Sequence, residues 1–318
     1  MWYDYVFWIT IGLILIILLT SFVCYMMTFY SPKRKILKDG EYDLPPGKEY
    51  EPFYESMKKW IDEIRNMPYE EVEIKSDVGL TLKGKYFEHI KGAPIEIMFH
   101  GYKGNSERDM NAGVKRAFKV GRNALLVDQR GSGLSEGRTI TFGIKERKDC
   151  LKWVEFVISK FGDDVRIILT GISMGAATVV MASAEEKLPK NVIGVLADCG
   201  YSSNKEIIYK IVKEMKLPPR LFYPFIKLGG LIFGKFNLDE TSPLEAVRKA
   251  KVPIIFFHGD DDTFVPFYMS ENMSKLCITK NQCILIPNAA HGLAYPTNPE
   301  LYIKKIKEIQ KECNEKSF

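Results

Sequence analysis

The chain has 318 residues, 46% hydrophobic and 27% charged, with 24 Gly and 16 Pro. That is a globular composition, long enough for one large domain or two ordinary ones, and it excludes a disordered, collagen-like or coiled-coil chain. The net charge of +5 is uneven: Lys33, Arg34, Lys35 and Lys38 against Asp4 leave +3 on the first 38 residues and +2 on the other 280, so the near-neutral body lacks the dense basic face that a nucleic-acid partner requires.

The first element is apolar. Between Asp4 and Lys33 lie 28 uncharged residues, and Val6–Leu19 is dense in aliphatic side chains. A span needs about 20 apolar residues. Trp2, Tyr3, Tyr5 and Trp8 at one end, and Tyr25, Phe29 and Tyr30 at the other, suit two headgroup layers. The segment predicts one transmembrane helix over residues 5–30, retained as an anchor. A cleaved leader would have a basic start and a small-residue cleavage site, and neither is present. Residues 31–53 form a basic flank and a Pro- and Gly-containing linker. The positive flank after the helix orients the rest of the chain towards the cytoplasm, as a single-pass protein of the cell membrane. Six cysteines without a C-x-x-C pair read as free thiols in a reducing compartment.

A domain over residues 54–318 follows. Met57, Trp60, Ile61 and Ile64 are spaced for an amphipathic helix over 54–66. Period-two segments around Val72/Ile74 and Leu80/Leu82, separated by Asp77-Val78-Gly79, predict an antiparallel hairpin. Short, nearly continuous apolar runs then appear at Ile95–Phe99, Ala124–Val127, Val165–Leu169, Val192–Ala197, Ile254–Phe257 and Cys283–Ile286. Helical patterns such as 144–160 and 174–187 separate them. Strands buried on both faces read this way, so the fold class is α/β, with a mostly parallel central sheet and helices on both faces. Residues 201–241 contain no such run and predict a helical cap insertion. Its rings Phe222, Tyr223, Phe225, Phe233 and Phe236 suit either an acyl pocket or packing of the cap on the sheet.

The chemistry-bearing residues sit at strand ends. Gly171-Ile172-Ser173-Met174-Gly175 follows a strand-like run and opens a helical pattern, the setting of a nucleophile elbow. The turn projects the Ser173 hydroxyl and leaves the Met174 N–H near a helix N-terminus, where it can stabilise an oxyanion. A hydroxyl needs a base. Of His89, His100, His258 and His291, the last follows the final strand-like run within Asn288-Ala-Ala-His-Gly292 and is the best candidate. Asp260, Asp261 and Asp262 all offer a carboxylate to orient that imidazole. His100-Gly101-Tyr102 follows an early strand, so the Tyr102 N–H is the second oxyanion donor, and His100 itself reads as structural. No P-loop, complete dinucleotide fingerprint or metal-ligand cluster occurs, so neither a cofactor nor a metal is expected.

Taken together, H-G-Y at 100–102, D-Q-R-G-S-G-L-S at 128–135, G-I-S-M-G at 171–175, S-P-L at 242–244, H-G-D-D-D-T-F-V-P at 258–266 and A-H-G at 290–292 make the chain resemble the serine-hydrolase branch of the α/β-hydrolase superfamily over residues 70–312. It is most similar to membrane-anchored esterases and to serine-aminopeptidase-like and lysophospholipase-like members. The resemblance implies Asp262 as the triad acid, and Asp128 and Arg130 as structural supports. It implies a membrane-anchored serine esterase with a Ser173–His291–Asp262 triad acting on a small-molecule or lipid acyl ester. The alternatives are a peptidase for short peptides, with Glu206, Glu214 or Asp239 holding a substrate amine, and a non-catalytic binding protein on the same fold.

Overall fold

A computed structural model describes residues 1–32, 37 and 40–312. The flank residues Lys33, Arg34, Lys35 and Lys38, together with Cys313, lie outside the described residues. Helix α1 (Trp2–Thr28) is followed by α2 (Tyr54–Asn66), which buries Met57, Ile61 and Ile64 along one stripe. The hairpin β1 (Glu70–Lys75) and β2 (Thr81–Phe87) pairs antiparallel, with Val72 opposite Gly84. Then come β3 (Ile95–Phe99), the short helices α3 (Ser106–Asp109) and α4 (Gly113–Lys119), β4 (Asn123–Val127), α5 (Glu146–Phe161), β5 (Ile167–Ile172), α6 (Met174–Ala182) and β6 (Val192–Asp198). The insertion forms α7 (Asn204–Glu214) and α8 (Pro219–Ile232). The chain closes with α9 (Pro243–Ala246), β7 (Ile254–Gly259), α10 (Tyr268–Leu276), β8 (Asn281–Ile286), α11 (Ala294–Thr297) and α12 (Pro299–Glu312).

The eight strands make one sheet in the order β1-β2-β4-β3-β5-β6-β7-β8. β1 and β2 run antiparallel, and β3 to β8 are parallel. Residues of β3, β4 and β7 are buried throughout, because helices cover both faces. Parallel strands carry all their loops from carboxyl ends to one edge, and that edge gathers the site.

One buried residue breaks the apolar pattern of β3. Glu96 is fully buried, bonded by Arg116, by Arg122 at 3.2 Å and by the Thr170 hydroxyl at 2.6 Å. Burial opposes its ionisation, but the two guanidinium groups outweigh that and hold its carboxyl below the usual range.

α1 divides into two parts. Trp2–Leu19 exposes its side chains, and the helix is long and apolar enough to cross a membrane. From Ser21 onward it is part of the body. A Cβ on Gly229 of α8 would lie 2.4 Å from the Ser21 carbonyl, so only glycine lets the two helices approach this closely. Phe29 is fully buried, edge-on to Phe142 and Phe236, and the Ile140 amide donates to its carbonyl at 2.8 Å. Phe233 packs on Phe22 and Tyr25. Two of the insertion's rings therefore serve packing: Phe233 and Phe236 hold the end of α1.

Candidate active site

The strand–turn–helix at the end of β5 is built by its glycines. A Cβ on Gly171 would lie 2.1 Å from the Gly175 carbonyl, and one on Gly175 would lie 2.0 Å from the Phe99 carbonyl. Any side chain at either position would push the turn apart. Ser173 takes φ +56 and ψ −117, a conformation rare for a residue with a side chain. It is held by its amide donating to the Asp198 carbonyl at 2.8 Å.

That strained turn aims the Ser173 hydroxyl at His291. The Oγ lies 2.9 Å from Nε2, and Nδ1 of the same ring lies 2.7 Å from Asp262 Oδ2. A carboxylate only accepts, so Nδ1 donates, and in the neutral ring Nε2 accepts the serine proton. Among the three adjacent acids, tertiary position separates roles that the sequence left equivalent. Asp262 is buried against His291, Asp260 accepts the Asn288 amide at 2.7 Å, and Asp261 is exposed.

Asp262 is further held by the Phe264 and Val265 amides at 3.0 and 2.8 Å and by His258 Nε2 at 3.1 Å. His258 is fully buried, and its Nε2 also reaches the Val265 carbonyl at 2.8 Å. Two acceptors on one nitrogen place the proton on Nε2, so His258 is a donor to Asp262. Burial alone would raise the Asp262 carboxyl, but the bonds from His258 and His291 outweigh it and hold it down at about 2. A carboxyl depressed in the folded state stabilises above its unfolded value near 3.9, and that stabilisation fades as pH falls towards 2. Asp262→Asn is therefore expected to lose on the order of 2 kcal/mol at pH 7, and much less near pH 2. Denaturant melts of both proteins across that range measure the difference.

His100 is buried, with Nδ1 on the Gly101 carbonyl at 2.7 Å and Nε2 accepting the Gln129 amide at 3.0 Å. It braces the loop after β3. A Cβ on Gly101 would touch Ser173 Cβ at 3.5 Å, so this loop lies directly against the serine. Met174 is the first residue of α6, where amides have no intrahelical acceptor. The Tyr102 hydroxyl donates to the Thr28 carbonyl of α1 at 2.7 Å, which leaves only its backbone for work at the site. Asp128 takes the Ser106 and Leu134 amides at 2.9 and 2.8 Å, and Arg130 makes a buried two-point contact with Asp149.

Ser173 and His291 open onto a cavity of about 360 Å³. Its walls include Met57, Met110, Ile172, Phe264 and Tyr295, with Arg108, Asp109 and Asp198 as polar members. Phe264 stands edge-on to His291 at 5.0 Å. Burial pushes the Asp198 carboxyl up to about 6, against the bond from the Tyr302 hydroxyl. Residues 45–50, which read as part of a linker, also form the wall: Pro45, Pro46 and Tyr50 line the cavity. Tyr54 donates to the Pro45 carbonyl at 2.9 Å, and Asn105 bonds Asp43 at 2.8 Å, strapping this segment over the site. Nothing in its Pro- and Gly-containing sequence marks that position. His258 could have been found as the histidine of the H-G-D pattern.

Cys199, Asp262 and His291 bring ligand atoms within 4.8 Å of one another. Asp262 and His291 Nδ1 are already engaged with each other, and burial pushes the Cys199 thiol well up, which keeps it from the thiolate form that a metal binds. Glu206, Glu214 and Asp239 do not converge on the cavity. They bond Tyr268, Lys210 and Tyr223 respectively.

No family model matches the chain. It is similar to the uncharacterized protein YqkD of Bacillus subtilis, 26% identical over 243 residues, which cover 76% of this chain and 79% of that one. It is also similar to a bifunctional esterase/perhydrolase of Acinetobacter calcoaceticus, 22% identical over 260 residues, covering 68% of this chain and 90% of the relative. Among solved structures, an esterase of Pyrococcus furiosus superposes with a TM-score of 0.63 at 22% identity, over 90% of this chain and 98% of its own. The strand order, the turn after β5 and this superposition together establish that the chain has the α/β-hydrolase fold.

Proposed function

We propose that the protein is a membrane-anchored serine hydrolase that cleaves carboxylic esters through an acyl-enzyme. The observation that carries the reading is the relay from Ser173 Oγ to His291 Nε2 at 2.9 Å and from Nδ1 to Asp262 at 2.7 Å, opening on a cavity of about 360 Å³. His291 takes the hydroxyl proton as Ser173 Oγ attacks the ester carbonyl carbon. The tetrahedral oxyanion is held by the Tyr102 and Met174 amides. His291 then returns the proton to the leaving alcohol as the C–O bond breaks. Water, deprotonated by His291, attacks the acyl-enzyme and releases the acid. Asp262, kept ionised by its donors, orients the ring and stabilises the imidazolium.

A cavity of about 360 Å³ is at the small end for ligand sites and suits a short acyl group, whether free or carried on a lipid. α1 is the anchor, with the catalytic body on the cytoplasmic side. The esterase/perhydrolase relative supports ester chemistry over peptide hydrolysis, as does the engagement of Glu206, Glu214 and Asp239 with Tyr268, Lys210 and Tyr223. The test is a fluorophosphonate probe applied to the full chain in detergent. One adduct, on the peptide carrying Ser173, is the expected result; an unlabelled, folded chain would sink the reading.

Tyr102 fixes the oxyanion loop to the end of α1. Tyr102→Phe is expected to lower kcat about tenfold with little change in KM, because a slightly displaced donor weakens the transition state more than substrate binding. Steady-state kinetics on a soluble ester would separate the two constants.

A further inference from the structure

Residues 215–238 hold Lys216, Arg220, Lys227 and Lys235 and no acidic residue, with Lys213 just before them. Within this stretch α8 has two apolar faces. Tyr223, Ile226, Gly229 and Gly230 are buried, the glycines against Ser21, Tyr25 and Phe29 of the α1 end. The opposite face carries Leu221, Phe225, Leu228 and Ile232 at spacings of four, three and four. Leu221 is 58% exposed and Ile232 41%, and Leu231 beside them is 57% exposed. Phe225 and Leu228 are half-buried. An apolar face turned outward is unexpected on a helix already packed on its other side.

Its position supplies the explanation. From Tyr5, the first residue after the charged Asp4, to Thr20 the helix is about 24 Å long at 1.5 Å per residue, most of the thickness of a bilayer core. Ser21, against which Gly229 of α8 packs, therefore falls near one boundary of that core. Beside α8, α1 itself exposes the apolar residues Phe22, Val23, Met26 and Met27, with Phe22 edge-on to Phe233. Exposed cations flank α8, with Lys213, Lys216 and Arg220 at its start and Lys235 just past its end. Apolar residues facing one way between cationic ends are the pattern of a helix lying in a charged lipid interface.

We propose that α8 is a second membrane element, lying in the headgroup layer of an anionic leaflet, with Leu221, Phe225, Leu228 and Ile232 dipped among the acyl chains and Lys213, Lys216, Arg220 and Lys235 on lipid phosphates. The inference rests on the reading of α1 as a span. It also turns the site towards the leaflet. α7, which leads into α8, reaches the cavity wall where Lys210 lies over the Phe264 ring.

The test uses the full chain reconstituted in phosphatidylcholine vesicles with and without phosphatidylglycerol. Leu221→Cys, Ile232→Cys and Ile278→Cys each carry a fluorophore, and the unsubstituted chain labelled alongside supplies the background of native thiols. Ile278 lies just before β8, at the opposite edge of the sheet. Lipid-borne quencher is expected to quench positions 221 and 232 about threefold more than 278, and most strongly with phosphatidylglycerol. Replacing Lys213, Lys216, Arg220 and Lys235 by Gln is expected to remove the phosphatidylglycerol increment while soluble-ester turnover is kept, which shows the fold intact. Equal quenching at all three positions, in a chain that resists carbonate extraction, would overturn the proposal and leave the anchor standing. Extraction of the chain by carbonate would overturn both. Quenching indifferent to phosphatidylglycerol would overturn the anionic assignment.

Discussion

Ser173→Ala is expected to lower ester turnover by roughly 10⁵- to 10⁶-fold, and His291→Ala by a similar factor. The reason is that neither group acts alone. The hydroxyl is a weak nucleophile until Nε2, 2.9 Å away, takes its proton, and the ring has no proton to accept once the hydroxyl is gone. The double variant should accordingly be no slower than either single one. A residual rate above that of water is expected in all three, because in the proposed mechanism the Tyr102 and Met174 amides would still polarise the bound carbonyl. Single-turnover assays with purified variants would measure the factors. Additive losses would mean that the two residues do not work as one unit.

Glu96→Gln should be the most damaging conservative change away from the cavity. Glu96 is the anion between Arg116 and Arg122, all three buried, and the amide keeps the shape while removing the charge. Two guanidinium groups would then share a low-dielectric site without their counter-charge. Breaking a buried pair in this way costs about 3–5 kcal/mol. For a body of this size that is a fall in melting temperature of about 10 °C, read by thermal denaturation. Thr170 also bonds Glu96 and immediately precedes Gly171, so loss of activity should accompany partial loosening of β5 before the chain unfolds.

The strands were legible because burial on both faces writes itself as short unbroken apolar runs: Ile95–Phe99 matches β3, and the helix at 54–66 matches α2. Glu96 inside the first of these runs was not legible as an ion-pair centre, since its partners lie 20 and 26 residues away on other elements. Ser173 and His291 were marked by local patterns after strands. The choice among Asp260, Asp261 and Asp262 came from resemblance to a known pattern, because three adjacent acids carry no local signal that separates them.

The insertion and the linker carry weaker local signals. The rings of residues 201–241 suited either a pocket or packing, and the structure gives Phe233 and Phe236 to α1. Residues 45–50 have no periodicity, so their place in the cavity wall could come only from contacts such as Tyr54 on the Pro45 carbonyl.

By itself, then, the sequence determined the order of strands and helices, the residues able to supply a nucleophile and a base, and one apolar segment long enough to span a bilayer. These follow from local spacing and composition, which act over a few residues. Only the tertiary structure decided that the last turns of α1 belong to the body, that Tyr102 is tied to Thr28, and that α8 shows apolar residues on two sides. Hydrophobicity is the same whether the neighbour is lipid or protein, so the partner of an apolar face is settled by which distant segments the fold brings against it.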